Sequence, residues 1–173
     1  MKKIVLLHFT FLAISCGSNH NSNNLKSINK ASFKIESVCA KNGECKFEIL
    51  ENKSLDIETD GIGKTYYKLN ESISHDVYRY NYSDIIKDTL LQDAGYREEI
   101  IFEIEKNKKE FLFINQELQA TKMVFGIFCY CKGKAGYYEV NEGSLKRIKN
   151  ELSIIIPAIV DNQKTKEIQI KLQ

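Results

Sequence analysis

The chain has 173 residues, of which 43% are apolar, with 25 basic and 23 acidic side chains. Lys2 and Lys3 apart, the two signs balance at 23 each, so the rest of the chain lacks the basic field that a nucleic-acid partner needs. One proline, no tryptophan, nine tyrosines and no repeat at solenoid spacing fit a single folded domain.

The chain opens on Met1-Lys2-Lys3, followed by an apolar run from Ile4 to Ile14 that is broken only by His8 and Thr10. Two positive charges, a short apolar run and small residues near its end have the layout of a secretory signal over residues 1–15. The run falls short of the roughly 20 residues a membrane-spanning helix requires. Leu12-Ala13-Ile14-Ser15-Cys16 resembles the cleavage box of bacterial lipoproteins. The resemblance implies cleavage before Cys16, diacylation of its thiol and anchoring to a membrane. One acyl chain binds marginally, at about 0.8 kcal/mol per buried CH₂, and two or three make a lasting anchor. Residues 17–24 (Gly-Ser-Asn-His-Asn-Ser-Asn-Asn) carry no apolar side chain and no fixed charge. Residues 16–31 therefore read as the lipidated cysteine and a flexible tether, and 32–173 as the domain. The Ile, Lys and Asn bias resembles Bacteroidetes proteins. In lipoproteins of that phylum an acidic run after the cysteine resembles a signal for surface display. This tether has none, so the expected address is the periplasmic face of the outer membrane.

In the domain, Phe33, Ile35, Ser37 and Cys39 share one face of an alternating stretch, and so do Cys45, Phe47 and Ile49. A three-residue loop, Lys41-Asn42-Gly43 with Gly43 left-handed, would pair Cys39 with Cys45 and turn both apolar rows to one core. Leu55, Ile57 and Thr59 continue the period of two. Asp60, Gly61 and Gly63 mark a turn, and Thr65, Tyr67 and Leu69 line the next strand. Residues 76–82 form a strand, and Ser83 is placed to cap a short helix over 84–91. Strands are expected over 99–105 and 110–115, and most strongly over 121–131, where apolar side chains on both faces imply cover on both sides. Tyr137–Val140 resumes as a strand. Leu145, Ile148 and Leu152 have helical spacing after Ser144, and residues 165–173 alternate as a closing strand. About eight or nine strands result, and the fold class is mostly β: an antiparallel β-sandwich or curled β-sheet with one or two short helices.

Beyond Cys16 the cysteines are Cys39, Cys45, Cys129 and Cys131. An even count in an exported chain favours disulfides, and four cysteines allow three pairings. The first hairpin favours Cys39–Cys45. Either a tight Cys129–Cys131 bridge accompanies it, or the hairpin is tied instead to the long strand. A Cys₄ zinc site is the alternative chemistry, but the pairs are separated by five residues and by one, away from usual zinc spacing. No Cys-x-x-Cys precedes a helix.

Tyr78, Tyr80 and Tyr82 line one face of a strand, with Arg79 on the other. A tyrosine row either offers stacking area to a sugar or peptide, or packs a wet-edged core. Ser74-His75-Asp76 is not a triad, because neighbours in a strand point apart. Gly63-Lys64-Thr65 lacks the first glycine of a phosphate loop, since residue 58 is Glu58. Lys106-Asn107-Lys108-Lys109 reads as a solvated turn. Glu98, Glu99 and Glu103 carry no signature that separates them from surface charge. Asp88-Thr89-Leu90 resembles the acceptor motif of Bacteroidetes O-glycosylation, which would put a glycan on Thr89. No cofactor, metal or catalytic cluster is expected. The sequence thus describes a lipid-anchored, non-enzymatic binding or accessory module with an envelope protein or glycan partner, and as the alternative a thiol-based metal-handling lipoprotein.

Overall fold

A computed structural model describes residues 33–86 and 95–172. The fold is mostly β. Among the described residues it has twelve strands, where the sequence pattern implies eight or nine, and one short 3-10 helix, arranged as two sheets packed in a sandwich-like way.

The first sheet has five strands in the order β1-β12-β11-β10-β7. They span Phe33–Ile35 (β1), Phe111–Ile114 (β7), Ser144–Ile148 (β10), Glu151–Ile155 (β11) and Glu167–Leu172 (β12). The second has seven in the order β2-β5-β6-β8-β9-β4-β3. These are Gly43–Leu50 (β2), Lys53–Thr59 (β3), Thr65–Glu71 (β4), His75–Asp84 (β5), Arg97–Glu105 (β6), Val124–Phe128 (β8) and Gly136–Glu139 (β9). Every recorded pairing is antiparallel, so each strand can alternate between a buried and a wet face.

The main core lies between the sheets. Phe47, Tyr78, Tyr80, Tyr82, Ile100, Phe102, Ile104 and Phe125 face Leu145, Leu152, Ile154, Ile168 and Ile170. A second, smaller core lies on the other side of the seven-stranded sheet: Leu55 of β3 covers Val77, Ile101 and Val124. The β3–β4 hairpin is joined to the rest of its sheet through one bridge, Thr65 to Tyr137, so the sheet curls and the hairpin packs back onto β5 and β6. This explains why β6 is buried from Glu98 to Ile104: even residues enter the main core and odd residues the second.

Four expectations need correction. The first hairpin does not form: β1 pairs with β12, and β2 with β5. Both apolar rows face one core, but from opposite sheets, with the Phe33 and Phe47 rings edge to face at 5.0 Å. The left-handed residue is Asn42 (φ 61°), and Gly43 begins β2. Gly43 must be glycine for another reason, since a Cβ there would lie 2.0 Å from the Tyr82 ring.

Ser83 caps no helix. Ser83 and Asp84 end β5, paired with Arg97 and Gly43, and residues 87–94 lie outside the described residues. The helix after Ser144 is a hairpin. Lys149 takes φ 51° at its turn, Leu145, Leu152 and Ile154 are buried, and Ile148 stays half exposed. The branched run Ile154-Ile155-Ile156 prefers a pleated surface, which outweighs the helical spacing before it.

The long strand over 121–131 is shorter. Asn115–Thr121 is a 3-10 helix closed by Lys122 at φ 51°, so β8 spans only Val124–Phe128 and ends before both cysteines. It is covered on both faces, as its pattern requires. No described helix is long and apolar enough to cross a membrane.

Candidate functional site

Strands β2, β5, β6 and β8 bring Glu44, Ser83, Arg97 and Phe128 into one transverse row. Beyond that row the segments 36–42, 85–86, 95–96, 129–135 and 157–166 meet at one end of the sandwich, and both disulfides lie there. Cys39–Cys45 (Cα separation 5.8 Å) straddles the crossing from the first sheet to the second. Cys129–Cys131 (5.1 Å) spans a single residue. Of the pairings open to four cysteines, these two are the ones present. All four sulfurs are engaged, so none is a thiolate ligand. Among the described residues no group of three or more His, Cys, Asp or Glu side chains is placed to hold a metal ion.

Backbone and buried side chains fix the loops to one another. Ile85 N–H donates to Asn42 O at 2.8 Å, and Asp84 N–H to Tyr96 O at 2.9 Å. The carboxylate of fully buried Glu98 accepts the N–H groups of Lys164 (2.6 Å) and Thr165 (2.7 Å), and also the Tyr96 hydroxyl. Gln163 folds inward. Its amide donates to Pro157 O (3.0 Å) and Thr165 O (2.6 Å), and its carbonyl accepts from Ile159 N–H (2.7 Å). Lys134 Nζ reaches Asp161 at 2.9 Å, tying 129–135 to 157–166. Satisfied groups of this kind make a rigid loop end.

The tyrosine row belongs to the scaffold. The Tyr78, Tyr80 and Tyr82 rings are 5%, 4% and 1% exposed, so they offer no open stacking face. Their hydroxyls find polar partners at the rim. Tyr82 donates to Asp84 (2.6 Å) and Tyr80 to Cys45 Sγ (2.9 Å), both beneath the loops, while Tyr78 accepts from Arg147 (3.2 Å). Burial pushes Tyr80 and Tyr82 up to about 12, with Glu98 adding to both and Asp84 to Tyr82. Arg79, on the opposite face of β5, is half-buried and ion-paired with Glu48 at 2.7 Å.

Other candidates are dispersed. Ser74 Oγ lies 2.9 Å from His75 Nδ1, but Asp76 turns away to accept the Asn52 N–H at 2.8 Å, so no triad forms. Glu99 accepts from Tyr137 (2.8 Å), and Glu103 pairs with Lys122 (2.9 Å). Both lie on the opposite face of β6 from Glu98, so the three do not converge. Asp60 organises the hairpin turn by accepting the N–H groups of Ile62 (3.0 Å) and Lys64 (2.8 Å). Lys106 pairs with Asp76 and Lys108 lies over Phe113, so this lysine cluster is spent locally. Among the described residues the surface depressions are open; one is lined by Ser74, His75 and Glu105, where the Ser74–His75 contact is the one hydrogen bond among the three side chains. Cys16 and Thr89 lie outside the described residues.

Among its exposed charged and polar side chains, such as Lys41, Lys132 and Asp161, the loop end shows three apolar ones: Val38 (97%), Ile85 (59%) and Tyr130 (99%). Single exposed apolar residues are ordinary. Three on loops pinned by disulfides and buried carboxylate contacts are the best candidate for a contact surface, because binding residues favour loops held by a rigid scaffold. Sequence pattern placed Val38 and Tyr130 only as alternates to inward rows, and the grouping depends on pairings between residues far apart in the chain. No family model matches the chain, and no curated protein or solved structure matches it either.

Proposed function

We propose that this chain is a lipid-anchored envelope protein, held through Cys16, that acts as a non-enzymatic binding or accessory module whose disulfide-pinned loop end contacts a protein partner. The observation that carries the reading is the convergence of both bridges on the loops that leave Val38 and Tyr130 almost fully exposed. Preordered loops reduce the entropy lost on association. Two aliphatic side chains and a single aromatic one at the same end suit a protein surface better than a sugar, which favours stacked rings. The chain enters β1 beside Leu172, whose N–H reaches Asn150 in the β10–β11 turn, and then runs to the loop end.

Two measurements test this. Metabolic labelling with a palmitate analogue is expected to mark the wild type and not Cys16→Ser, which is expected to fractionate with the soluble proteins. Equal labelling of both would remove the anchor from the reading. A photo-crosslinking residue at position 38 or 130, in the native host, is expected to give discrete protein adducts that the same probe at Leu112, on the outer face of β7, does not. Identical patterns at all three positions would refute the contact surface.

A further inference from the structure

The two bridges differ in what depends on them. Cys39–Cys45 joins the ends of a six-residue separation and spans the passage from one sheet to the other, with the Tyr80 hydroxyl on Cys45 Sγ. Cys129–Cys131 closes over Tyr130 alone, which is 99% exposed. The sheet has already ended at Phe128, so no ladder bond rests on this bridge. The loop beyond it is held by other means: Lys134 N–H donates to Cys131 O (3.2 Å), Tyr138 to Lys134 O (2.7 Å), and Lys134 Nζ pairs with Asp161. Through loop closure the shorter bridge contributes roughly fourfold less to the folding equilibrium, so its opening costs less of the structure. Both cysteines are half-buried, and a bridge partly open to solvent that carries little of the fold is the exchangeable kind.

We propose that Cys129–Cys131 is a thiol–disulfide exchange site that takes thiols, of proteins or of small molecules. Cys129 packs against the main core, whereas Cys131 lies beyond the exposed Tyr130 and beside exposed Lys132, so Cys131 Sγ is the sulfur attacked. A thiolate forms a new S–S bond to Cys131 as the Cys129–Cys131 bond breaks. Cys129 leaves as a thiolate and takes up a proton. A second thiol then attacks the mixed disulfide, releasing Cys131 as a thiol. In sum, two thiols are oxidised to one disulfide, the bridge is reduced to two thiols, and two electrons and two protons are transferred. This proposal is independent of the anchor but touches the contact surface, because the bridge that opens is the one that holds Tyr130.

The test uses the oxidised protein equilibrated in graded ratios of reduced to oxidised glutathione, then acid-quenched, alkylated and peptide-mapped, with far-UV circular dichroism in parallel. Cys129 and Cys131 are expected to be half-reduced at a severalfold lower ratio than Cys39 and Cys45, with the dichroism unchanged. Opening of all four together, opening of Cys39–Cys45 first, or opening only as the dichroism is lost would each overturn the proposal. Cys129→Ser removes the resolving thiol and is expected to accumulate glutathione on Cys131 faster than Cys131→Ser does on Cys129. The reverse order would refute the assignment of the attacked sulfur. A reduced two-cysteine peptide, run beside glutathione, separates the sources. Faster reaction with the peptide assigns protein thiols, faster reaction with glutathione assigns small thiols, and reaction with neither ends the proposal.

Discussion

At the scale of single residues, Glu98 carries the loop end. Its carboxylate is fully buried and accepts two backbone N–H groups and a phenol. Glu98→Ala leaves those donors without a partner and is expected to cost about 2–4 kcal/mol, read as a lower urea midpoint at unchanged slope. Tyr80 and Tyr82 give a pH signature. Their folded pKa values, about 12, lie above the ordinary phenol value of 10.0, so the neutral form is the one that folding favours. Their contribution is therefore complete below about pH 10 and is lost as the pH rises through about 12. Stability measured across that window is expected to fall, and phenolate absorbance to lag behind that of the unfolded chain. The tyrosine row was legible as one face of a strand, because alternation is local. Glu98 was not: its partners at Lys164 and Thr165 lie 66 and 67 residues away, and nothing next to it in sequence distinguishes a buried carboxylate from a solvated one.

At the scale of elements, two hairpins carry what periodicity could not decide. In β10–β11 the spacing of Leu145, Ile148 and Leu152 satisfies a helix as well as it satisfies two strands around a turn. The branched run that follows, and Gly143, tip the choice. Gly143 sits at φ 117°, where a Cβ would come within 2.1 Å of Ile155 O. Gly143→Ala is expected to destabilise the protein by about 2–3 kcal/mol or more, and a melting curve would show it. The β3–β4 hairpin covers a core of only a few side chains, so Leu55→Ala is expected to cost about 2–4 kcal/mol. Amide exchange should find β3 and β4 opening before β5 and β6, since one bridge joins β4 to β9. The turn at Asp60–Lys64 was legible, because Asp and Gly act on the backbone within a few residues. The pairing partner of β1 was not, because it arrives from the far end of the chain.

For the molecule as a whole, the sandwich class followed from strand count, alternation and the doubly apolar stretch around Phe125. The sheet order did not, because alternation says which way a side chain points and not which strand lies beside it. Both bridges gather at one end, so their loss is expected to be felt unequally. Cys39→Ser with Cys45→Ser should lower stability by about 2 kcal/mol through loop closure, in a denaturant titration of the oxidised protein. The pairing of β1 with β12 has one more consequence, for the order in which the fold assembles. Phe33 finds its neighbour only when Leu172 is present, so a chain threaded out amino end first must hold its earliest strand in waiting. The Cys39–Cys45 link needs only seven consecutive residues and can be sealed long before. The link at the crossing is thus made early, while the first sheet is completed by a segment that emerges well over a hundred residues later.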